Sequence, residues 1–287
     1  MPELAYLNGV FGPIADAKVS IEDRGFQFGD AVYEVIVAYD GQPFLMEPHL
    51  ARLRRSLAAI GIEFDPGRSS LESAIREGVR RCGFPDAMVY IQISRGAAPR
   101  SHSIPEGMTP TVVMTFKALP AIPDELRERG ASVITTRDIR WAYCYVKAVT
   151  LLPNILAKND ALRRGYDDAI FVAESGEVRE CTSANVFIAR NGSLLMPPRT
   201  ESVLHGITQG YLLECADAIG WEVKEQTFDL AALRTADEAF MSGTISEVLG
   251  ITKIDDRPIG DGNVGPMTKR LYGEFMRRAR PAAVSVG

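Results

Sequence analysis

The sequence predicts an α+β fold arranged in two domains. The chain has 287 residues, which is long for one small domain and suits two domains of roughly 100–200 residues each. Strand and helix patterns are mixed instead of alternating in a strict βαβ series, which favours α+β. The stretch 119–125 contains two prolines and few core-forming residues, so it predicts a linker between an N-terminal domain, 1–118, and a C-terminal domain, 126–287.

Turn pairs and apolar periodicity predict the elements of the first domain. Strand-like pieces surround Asn8-Gly9 and a hairpin is closed at Asp40-Gly41, because such pairs tolerate the positive φ of tight hairpin turns. The stretch 47–62 predicts an amphipathic helix, with apolar residues on one face and arginines around the other. A second helix and two further strands are predicted at 70–84, 88–96 and 110–119.

The second domain is denser in strand patterns than the first. Strands are predicted within 131–140, 144–149, 168–175, 178–196 and 238–254. Asn191-Gly192 is expected to close a hairpin inside the fourth of these stretches. Helices are expected near 153–165, 206–220 and 266–279.

Composition and charge exclude several classes of partner. The formal net charge of -5 argues against a general nucleic-acid surface, which is normally basic. No run of about 18 apolar residues occurs, and the N-terminus lacks the basic and apolar regions of a secretion signal, so no membrane contact is expected. The four cysteines are far apart, which is typical of reduced thiols in a cytoplasmic protein.

Familiar catalytic motifs are missing as well. The three histidines do not form His-Glu-x-x-His, and no metal site is expected. The glycine-rich loop of the P-loop enzymes and the Gly-x-Ser-x-Gly elbow of the α/β-hydrolases do not occur. Zinc hydrolases, P-loop enzymes and α/β-hydrolases are therefore poor candidates.

Lys147 raises the first question about chemistry. It lies in 141–156, which predicts a buried strand running into a helix, and a buried ammonium group is costly unless it is paired or neutralised. Two interpretations are open at this point. A strand lysine near an edge extends its charged end to water along an apolar stem. A desolvated lysine loses its proton more readily and becomes a nucleophile.

Two segments have the pattern of an anion site. In 204–220, Gly206 precedes a predicted helix opened by Ile207 and Thr208, and the free N–H groups of a helix N-terminus suit a phosphate. Alternatively, Thr208 only caps the helix. In 240–248, a predicted buried strand ends in Ser-Gly-Thr, which forms either a second anion-binding turn or an ordinary strand-to-loop junction.

Four further side chains each have two interpretations. Arg52 is one of three arginines on the predicted helix. It is either a surface charge, as such arginines usually are, or the one that turns inward and binds a phosphate bidentately. Glu180 is either a surface strand residue or a buried carboxylate paired with a cation such as a protonated pyridine nitrogen. Arg100 and His102, two residues apart on an extended loop, either hold a carboxylate together or belong to an exposed basic loop.

Taken in order along the chain, these features resemble one family, the fold-type IV pyridoxal-phosphate transaminases, which include D-amino acid and branched-chain aminotransferases. The matching stretches span residues ~22 to ~270. They are EDRGFQFGDAVYEV, EPHLARL, YIQISRG, PRSHSIPE, DIRW, VKAVTLL, RECTSANVF, HGIT and FMSGTISEV. The resemblance implies a smaller N-terminal α/β domain and a larger C-terminal domain with a barrel-like β core.

The resemblance also implies a role for each candidate residue. Lys147 would bind pyridoxal 5′-phosphate (PLP) as a Schiff base and move a proton between the substrate Cα and the cofactor C4′, and Glu180 would pair with the pyridine nitrogen. The phosphate would be bound by Arg52, Ile207, Thr208, Gly243 and Thr244, with Leu204 against the ring. Tyr33 would line the substrate pocket. In a homodimer, Arg100 and His102 would reach the pocket of the neighbouring subunit and bind the substrate carboxylate.

The choice among members of the family depends on a few stretches. PRSHSIPE resembles the carboxylate trap of D-amino acid transaminases and implies transfer from D-alanine or D-glutamate to 2-oxoglutarate or pyruvate. FMSGTISEV and GPMTKRL are closer to branched-chain relatives, so a branched-chain L-amino acid aminotransferase and an (R)-amine transaminase are the alternatives. An aminodeoxychorismate lyase is a weaker alternative, because the Arg100 and His102 pair belongs to the transaminase pattern. A cofactor carrier without turnover is weaker too, because Lys147, Glu180 and Tyr33 are all present. Gln209-Gly210 replaces a common Arg-Asp pair and Thr150 a common Asn, which affects affinity and specificity more than chemistry.

Overall fold

The computed structural model describes residues 3–67 and 70–280, which divide into two compact units. The first unit comprises the residues up to Pro120 together with Val146–Thr150, and the second comprises Ala121–Tyr145 and the residues from Leu151 onward. The linker 119–125 and the domain bounds expected from the sequence are not tested by this division, so they stay predictions. The ends of those domains, residues 1–2 and 281–287, lie outside the described residues.

The first unit is an antiparallel sheet with helices packed on it. Its strands are β1 (Leu4–Leu7), β2 (Val10–Pro13), β3 (Ala31–Tyr39), β4 (Gln42–Pro43), β5 (Ala87–Ser94) and β6 (Thr111–Ala118). Its helices are α1 (Arg24–Phe28), α2 (Met46–Ala59) and α3 (Leu71–Cys82). The described strands run in the order β2-β1-β6-β5-β3-β4. Helix α2 packs on β3, and α3 packs on β1, β4, β5 and β6.

Local sequence explains why these elements form. Asp40 and Gly41 adopt φ values of 49° and 73°, the left-handed conformation that a tight hairpin turn needs, so the predicted hairpin is confirmed. Apolar residues of β3, β5 and β6, among them Ile36, Ile91 and Phe116, are fully buried under the helices. This burial supplies most of the free energy that keeps the sheet folded.

A pair of helix glycines gives the first testable prediction. A Cβ at Gly78 of α3 would lie 2.0 Å from Phe116 Cζ, so Gly78→Ala is expected to destabilise the protein by about 1–3 kcal/mol through overpacking. Gly273, a helix glycine of the second unit, has no neighbour within 4 Å of such a Cβ. Gly273→Ala is therefore expected to stabilise its helix by up to about 1 kcal/mol. Urea denaturation of both variants checks the opposite signs; equal effects would contradict the close contact at Phe116.

The second unit combines a large mixed sheet with five helices in the described part of the chain. Its strands are β7 (Ala131–Arg137), β8 (Asp168–Val172), β9 (Val178–Cys181), β10 (Asn185–Arg190), β11 (Ser193–Met196), β12 (Val223–Glu225), β13 (Glu238–Gly243), β14 (Glu247–Ile254) and β15 (Arg257–Pro258). Its helices are α4 (Asp124–Arg129), α5 (Leu152–Arg163), α6 (Ile207–Ala218), α7 (Leu230–Arg234) and α8 (Pro266–Ala279).

The order of the strands makes this second sheet curl. The main path is β12-β11-β10-β13-β14-β7-β8-β9, with β15 beside β14. Strand β9 ends the path, yet only residues 182–184 separate it from β10 near the other end, so the sheet curls into a half-barrel to bring them together. Apolar side chains fill the interior, including Val133, Ile170, Val186 and Ile251. The predicted α+β fold with a barrel-like β core is confirmed.

One predicted strand is wrong. Residues 144–149 form no regular strand; Ala148 makes a single antiparallel bridge with Val32 of β3. Nor is the stretch 141–156 uniformly buried, since Trp141 and Tyr143 are 41% and 52% exposed. The apolar composition indicated a strand, but the backbone follows β3 for only a few residues before α5 begins at Leu152.

Two further observations concern membrane-spanning helices and the cysteines. Throughout residues 3–67 and 70–280, every helix is too short or too polar to cross a membrane. All four cysteines are buried free thiols.

Candidate active site

Lys147 is held against β3 in the first unit. Its carbonyl oxygen accepts a hydrogen bond from the Tyr33 N–H at 2.9 Å, and its own N–H donates to Ser56 Oγ at 3.2 Å. The ammonium Nζ lies 4.2 Å from the centroid of the Tyr33 ring, within the range of a cation–π contact. The side chain is half-buried. The structure therefore brings together two residues that the sequence singled out, the lysine and the phenol.

Arg52 is the arginine of α2 that turns inward. It is 4% exposed, and its Nε and Nη2 donate to the two carboxylate oxygens of Glu34 at 2.7 and 2.8 Å. The Glu34 carboxylate is fully buried on β3, and His49 Nδ1 lies 2.8 Å from its Oε2. Glu34 and His49 were missed in the sequence, although a carboxylate within an otherwise apolar strand is a signal for a buried ion pair.

The buried pair fixes the charge of each member. Burial alone would raise the pKa of Glu34, but the Arg52 guanidinium and the hydrogen bonds from Arg52 and His49 lower it to about 2. Burial lowers the pKa of His49, and the opposing effect of Glu34 does not reverse this. At neutral pH the cluster therefore contains a carboxylate, a guanidinium and a neutral imidazole that donates from Nδ1.

Arg100 and His102 lie on the loop between β5 and β6, and both are exposed. The Arg100 guanidinium carbon is 5.0 Å from the centroid of the Phe28 ring. The His102 imidazole meets the same ring edge to face, with 5.7 Å between the ring centroids. The loop thus gathers the two side chains around one aromatic ring of the first unit.

Glu180 lies on β9 in the second unit, and the interpretation as a buried carboxylate is confirmed by its 5% exposure. Arg140 Nη1 donates to its Oε1 at 2.5 Å, Asn185 Nδ2 to its Oε2 at 3.1 Å, and the Leu204 N–H to both oxygens at 3.1 Å. Burial lowers the pKa of Arg140, but the carboxylates of Asp138 and Glu180 raise it by more, so the guanidinium is permanently charged. The sequence did not reveal Arg140 as a partner.

Asn185 joins Glu180 to the start of α6. Its Nδ2 also donates to the Leu204 carbonyl at 2.8 Å. A Cβ at Gly206 would lie 2.0 Å from Asn185 Oδ1, so only glycine allows this close approach. Helix α6 begins at Ile207 with Gly206 as its N-cap; the Gly206 N–H donates to Gln209 Oε1 at 3.3 Å, and glycine has no side chain to cap the N–H groups that follow. The alternative in which Thr208 caps the helix is therefore wrong, and the first turn presents uncapped N–H groups.

Near the end of β13, one buried polar group has no protein partner among the described residues. Ser242 is fully buried, and its Oγ has no hydrogen-bond partner among the described residues. A Cβ at Gly243 would lie 2.8 Å from Ser246 Oγ, so the turn that leads to Thr244 is tight. Ser242 pairs with Asn185 in the register of β13 and β10, which places this turn beside the strand that holds the start of α6.

The donors of the second unit fit a phosphorylated cofactor. An uncapped helix N-terminus and an orphaned buried hydroxyl supply donors for a phosphate. The buried Glu180 carboxylate supplies an acceptor for a protonated ring nitrogen. Among residues 3–67 and 70–280, no group of three or more His, Cys, Asp or Glu side chains is arranged to hold a metal ion.

Asn185 provides a test of this arrangement. Asn185→Ala is expected to lower the free energy of unfolding by about 1–3 kcal/mol, because it removes two hydrogen bonds and leaves the Leu204 carbonyl without that donor. Asn159→Ala is the control, since its amide bonds an exposed helix carbonyl and its loss is expected to change stability by about 0.5 kcal/mol or less. Thermal and urea unfolding measure both; equal losses would contradict the role of Asn185.

Comparison with known proteins establishes the family. A family model described as amino-transferase class IV matches residues 31–254. This chain belongs to the class IV aminotransferases. A D-alanine aminotransferase of Staphylococcus epidermidis is 38% identical over 271 residues, covering 94% of this chain and 95% of the relative. A D-alanine aminotransferase of Bacillus licheniformis is 38% identical over 265 residues, covering 92% and 93%.

Solved structures of branched-chain amino acid aminotransferases share the fold. The T.th. branched-chain amino acid aminotransferase, solved with pyridoxamine 5′-phosphate, superposes with a TM-score of 0.90 at 29% identity, covering 98% of this chain and 95% of that one. A branched-chain amino acid aminotransferase of Escherichia coli gives a TM-score of 0.88 at 28% identity, covering 94% and 92%. The predicted family is confirmed, and PLP is the cofactor of this class IV aminotransferase.

Proposed function

We propose that this class IV aminotransferase transfers the amino group of D-amino acids, of the D-alanine and D-glutamate type, to a 2-oxo acid such as 2-oxoglutarate or pyruvate. The similarity to D-alanine aminotransferases over nearly the whole chain supports this substrate class. The structural observation that carries the proposal is the gathering of Arg100 and His102 around Phe28, because two such donors on one loop suit the α-carboxylate of an amino acid.

The second unit supplies the proposed cofactor-binding residues. The amides of Ile207 and Thr208 and the turn at Gly243 and Thr244 bind the phosphate in this proposal, and Leu204 packs against the ring. Glu180 would accept a hydrogen bond from the N–H of the pyridine ring, and its anion is stabilised by Arg140 and by the Leu204 amide. When bound, the cofactor supplies an electron sink for negative charge that develops at the substrate Cα.

The first unit supplies the proposed residue for proton transfer. Lys147 Nζ would take up the proton released at the substrate Cα and would hold it for transfer to the cofactor. The ring of Tyr33 orients the amine and lines the substrate pocket. Glu34 fixes the orientation of the Arg52 guanidinium, which is the proposed cation for the phosphate.

A half-reaction tests the proposal directly. The visible absorbance of the cofactor-loaded protein is recorded without a 2-oxo acid while amino acids are added one at a time. Loss of the band with D-alanine or D-glutamate, and retention with L-leucine, is the expected result. Addition of 2-oxoglutarate should then restore the band, because it accepts the amino group.

Two alternatives have distinct outcomes in the same assay. Loss of the band with L-leucine or L-valine would assign the chain to the branched-chain group, which the similarity to branched-chain aminotransferase structures favours. Loss of the band only with an (R)-amine that has no carboxylate would indicate an amine transaminase. Arg100 and His102 would then have no substrate carboxylate to bind.

We propose that the protein is a cytoplasmic homodimer. Helix α5 exposes Leu152, Ile155 and Leu156, which follow the helical spacing of a single face and are 65%, 52% and 54% exposed. A second copy of the chain is the proposed cover for this face. Light scattering is expected to give the mass of two chains for the wild type. Ile155→Asp is expected to shift the mass toward one chain, whereas Arg80→Asp, at an exposed position of α3, is expected to leave it unchanged.

A further inference from the structure

The beginning of the loop that bears Arg100 and His102 forms backbone hydrogen bonds with the segment that leads into α1. The Arg24 N–H donates to the Gly96 carbonyl at 2.9 Å, and the Ala98 N–H donates to the Glu22 carbonyl at 3.2 Å. Asp23 and Ala97 form an antiparallel bridge between these two bonds. The start of the loop is therefore paired like a strand with the residues that lead into α1.

The side chain of Arg24 holds the loop farther along. It is 4% exposed, and its Nη1 donates to the Ser101 carbonyl at 2.7 Å and to the Ser103 carbonyl at 3.3 Å. These two carbonyls flank His102. The Arg24 Nε donates to Asp30 Oδ2 at 2.8 Å, so the guanidinium is fixed at its other edge. Burial alone would raise the pKa of Asp30, but the hydrogen bonds and charges of Arg95 and Arg24 lower it.

Phe28, the last residue of α1, holds the ends of the two basic side chains. Arg100 lies over its ring at 5.0 Å and His102 meets it at 5.7 Å, while Arg24 lies 4.9 Å from the same centroid. An aromatic face attracts a guanidinium without neutralising its charge. Such stacking uses the planar face of the guanidinium and leaves its N–H edge to bind a carboxylate.

We propose that Arg24 and Phe28 are positioning residues for substrate carboxylate binding by Arg100 and His102. Arg24 fixes the backbone on both sides of His102, and Phe28 fixes the direction of the Arg100 guanidinium and the His102 imidazole. Neither residue touches the substrate. The inference rests on the proposed function, since it assigns the carboxylate of an amino acid as the group that Arg100 and His102 bind.

The first test compares Phe28→Leu with Phe28→Tyr in the cofactor-loaded enzyme. Leucine has no aromatic face, so KM for D-alanine is expected to rise about three- to tenfold, as for the loss of two exposed aromatic contacts, with kcat within about twofold. Tyrosine keeps the ring and is expected to hold KM within about twofold of the wild type. An unchanged KM in Phe28→Leu overturns the role of Phe28.

The second test compares Arg24→Lys with Arg95→Lys. Arg95 is also buried and paired with Asp30, but its other donors bind the carbonyls of Ile60 and Gly61 instead of the loop. Lysine keeps the charge and loses the planar fork at either position. Both variants are expected to unfold at a lower temperature, and only Arg24→Lys is expected to raise KM for D-alanine, about threefold or more. Equal changes in KM overturn the role of Arg24.

A binding measurement separates this inference from the proposed function. The imidazole C–H signals of His102, one of three histidines, are followed by NMR in the cofactor-loaded protein while propionate is added. Propionate has a carboxylate and no amino group, so the response does not depend on turnover. The wild type is expected to show a saturable shift at His102, and Phe28→Leu to bind propionate about three- to tenfold more weakly.

The two failures have different signatures. A wild type that does not consume D-alanine, yet binds propionate at His102 in a Phe28-dependent way, contradicts the proposed D-amino acid activity and supports the roles of Arg24 and Phe28. A wild type that consumes D-alanine, with no His102 response to propionate and no effect of Phe28→Leu, supports the proposed function and overturns this inference.

Discussion

Replacing Lys147 with alanine is expected to reduce transamination by about 10⁴-fold or more, because in the proposed function this lysine both attaches the cofactor covalently and transfers the proton. The visible absorbance of the protein should change with the loss of the covalent bond. Steady-state turnover of D-alanine with 2-oxoglutarate, with cofactor in excess, measures the effect.

The matched control is a second lysine that lies over a tyrosine. Lys253 Nζ is 5.2 Å from the centroid of the Tyr166 ring, but Lys253 is exposed on β14. Lys253→Ala is expected to keep turnover within about twofold, since exposed cation–π pairs contribute only about 0.5–1 kcal/mol. Turnover retained by Lys147→Ala would contradict the catalytic role. A wild type without turnover, and a Lys147→Ala variant that binds the cofactor equally well, would indicate a carrier.

Replacing Arg52 with alanine is expected to lower the free energy of unfolding by about 3–5 kcal/mol, because it leaves the buried Glu34 carboxylate without its guanidinium. Arg54→Ala on the same helix is the control. Its partner Glu47 is 73% exposed, so the expected loss is about 0–1 kcal/mol. Urea denaturation of the cofactor-free variants measures the difference; a small loss for Arg52→Ala would contradict the buried pair.

The same cluster predicts how stability depends on pH. The pKa of Glu34 falls from 4.5 to about 2 on folding, so its stabilisation is full above pH 4.5 and is lost as the pH falls toward 2. His49 acts in the same direction, because its lowered pKa means that the unfolded chain binds a proton more readily below pH 6.5. Glu34→Gln is expected to be less stable at pH 7 and to show a shallower loss of stability below pH 4.5. An unchanged acid transition would contradict the ion pair.

Much of the fold was predictable because short patterns encode it. The turn pairs Asp40-Gly41 and Asn191-Gly192 stand at hairpin turns, and both of their non-glycine members have positive φ as such turns require. Helix α6 begins at Ile207, the residue expected to open it. The strand predicted at 144–149 does not form. Its apolar pattern is local, whereas the length of its pairing with β3, a single bridge, depends on the tertiary structure.

The sequence singled out candidate residues for the site, but it did not reveal the partners that these residues have in the structure. Glu180 was identified as a carboxylate that needs a cation if buried, but Arg140 lies 40 residues away in the sequence and no local pattern connects them. Glu34 and Arg52 are separated by 18 residues and meet only because α2 packs on β3.

The sequence by itself determined the family and singled out the candidate residues of the site, because the motifs around Lys147, Glu180 and Gly206 record the spacing of side chains along strands and turns. Only the tertiary structure decided which charges are paired. Arg24 holds the carbonyl of a residue 77 positions away, and that contact exists because the register of the first sheet places the loop after β5 beside α1. Spacing along a chain is a local property, whereas the partner of a buried charge is chosen by the packing of distant elements.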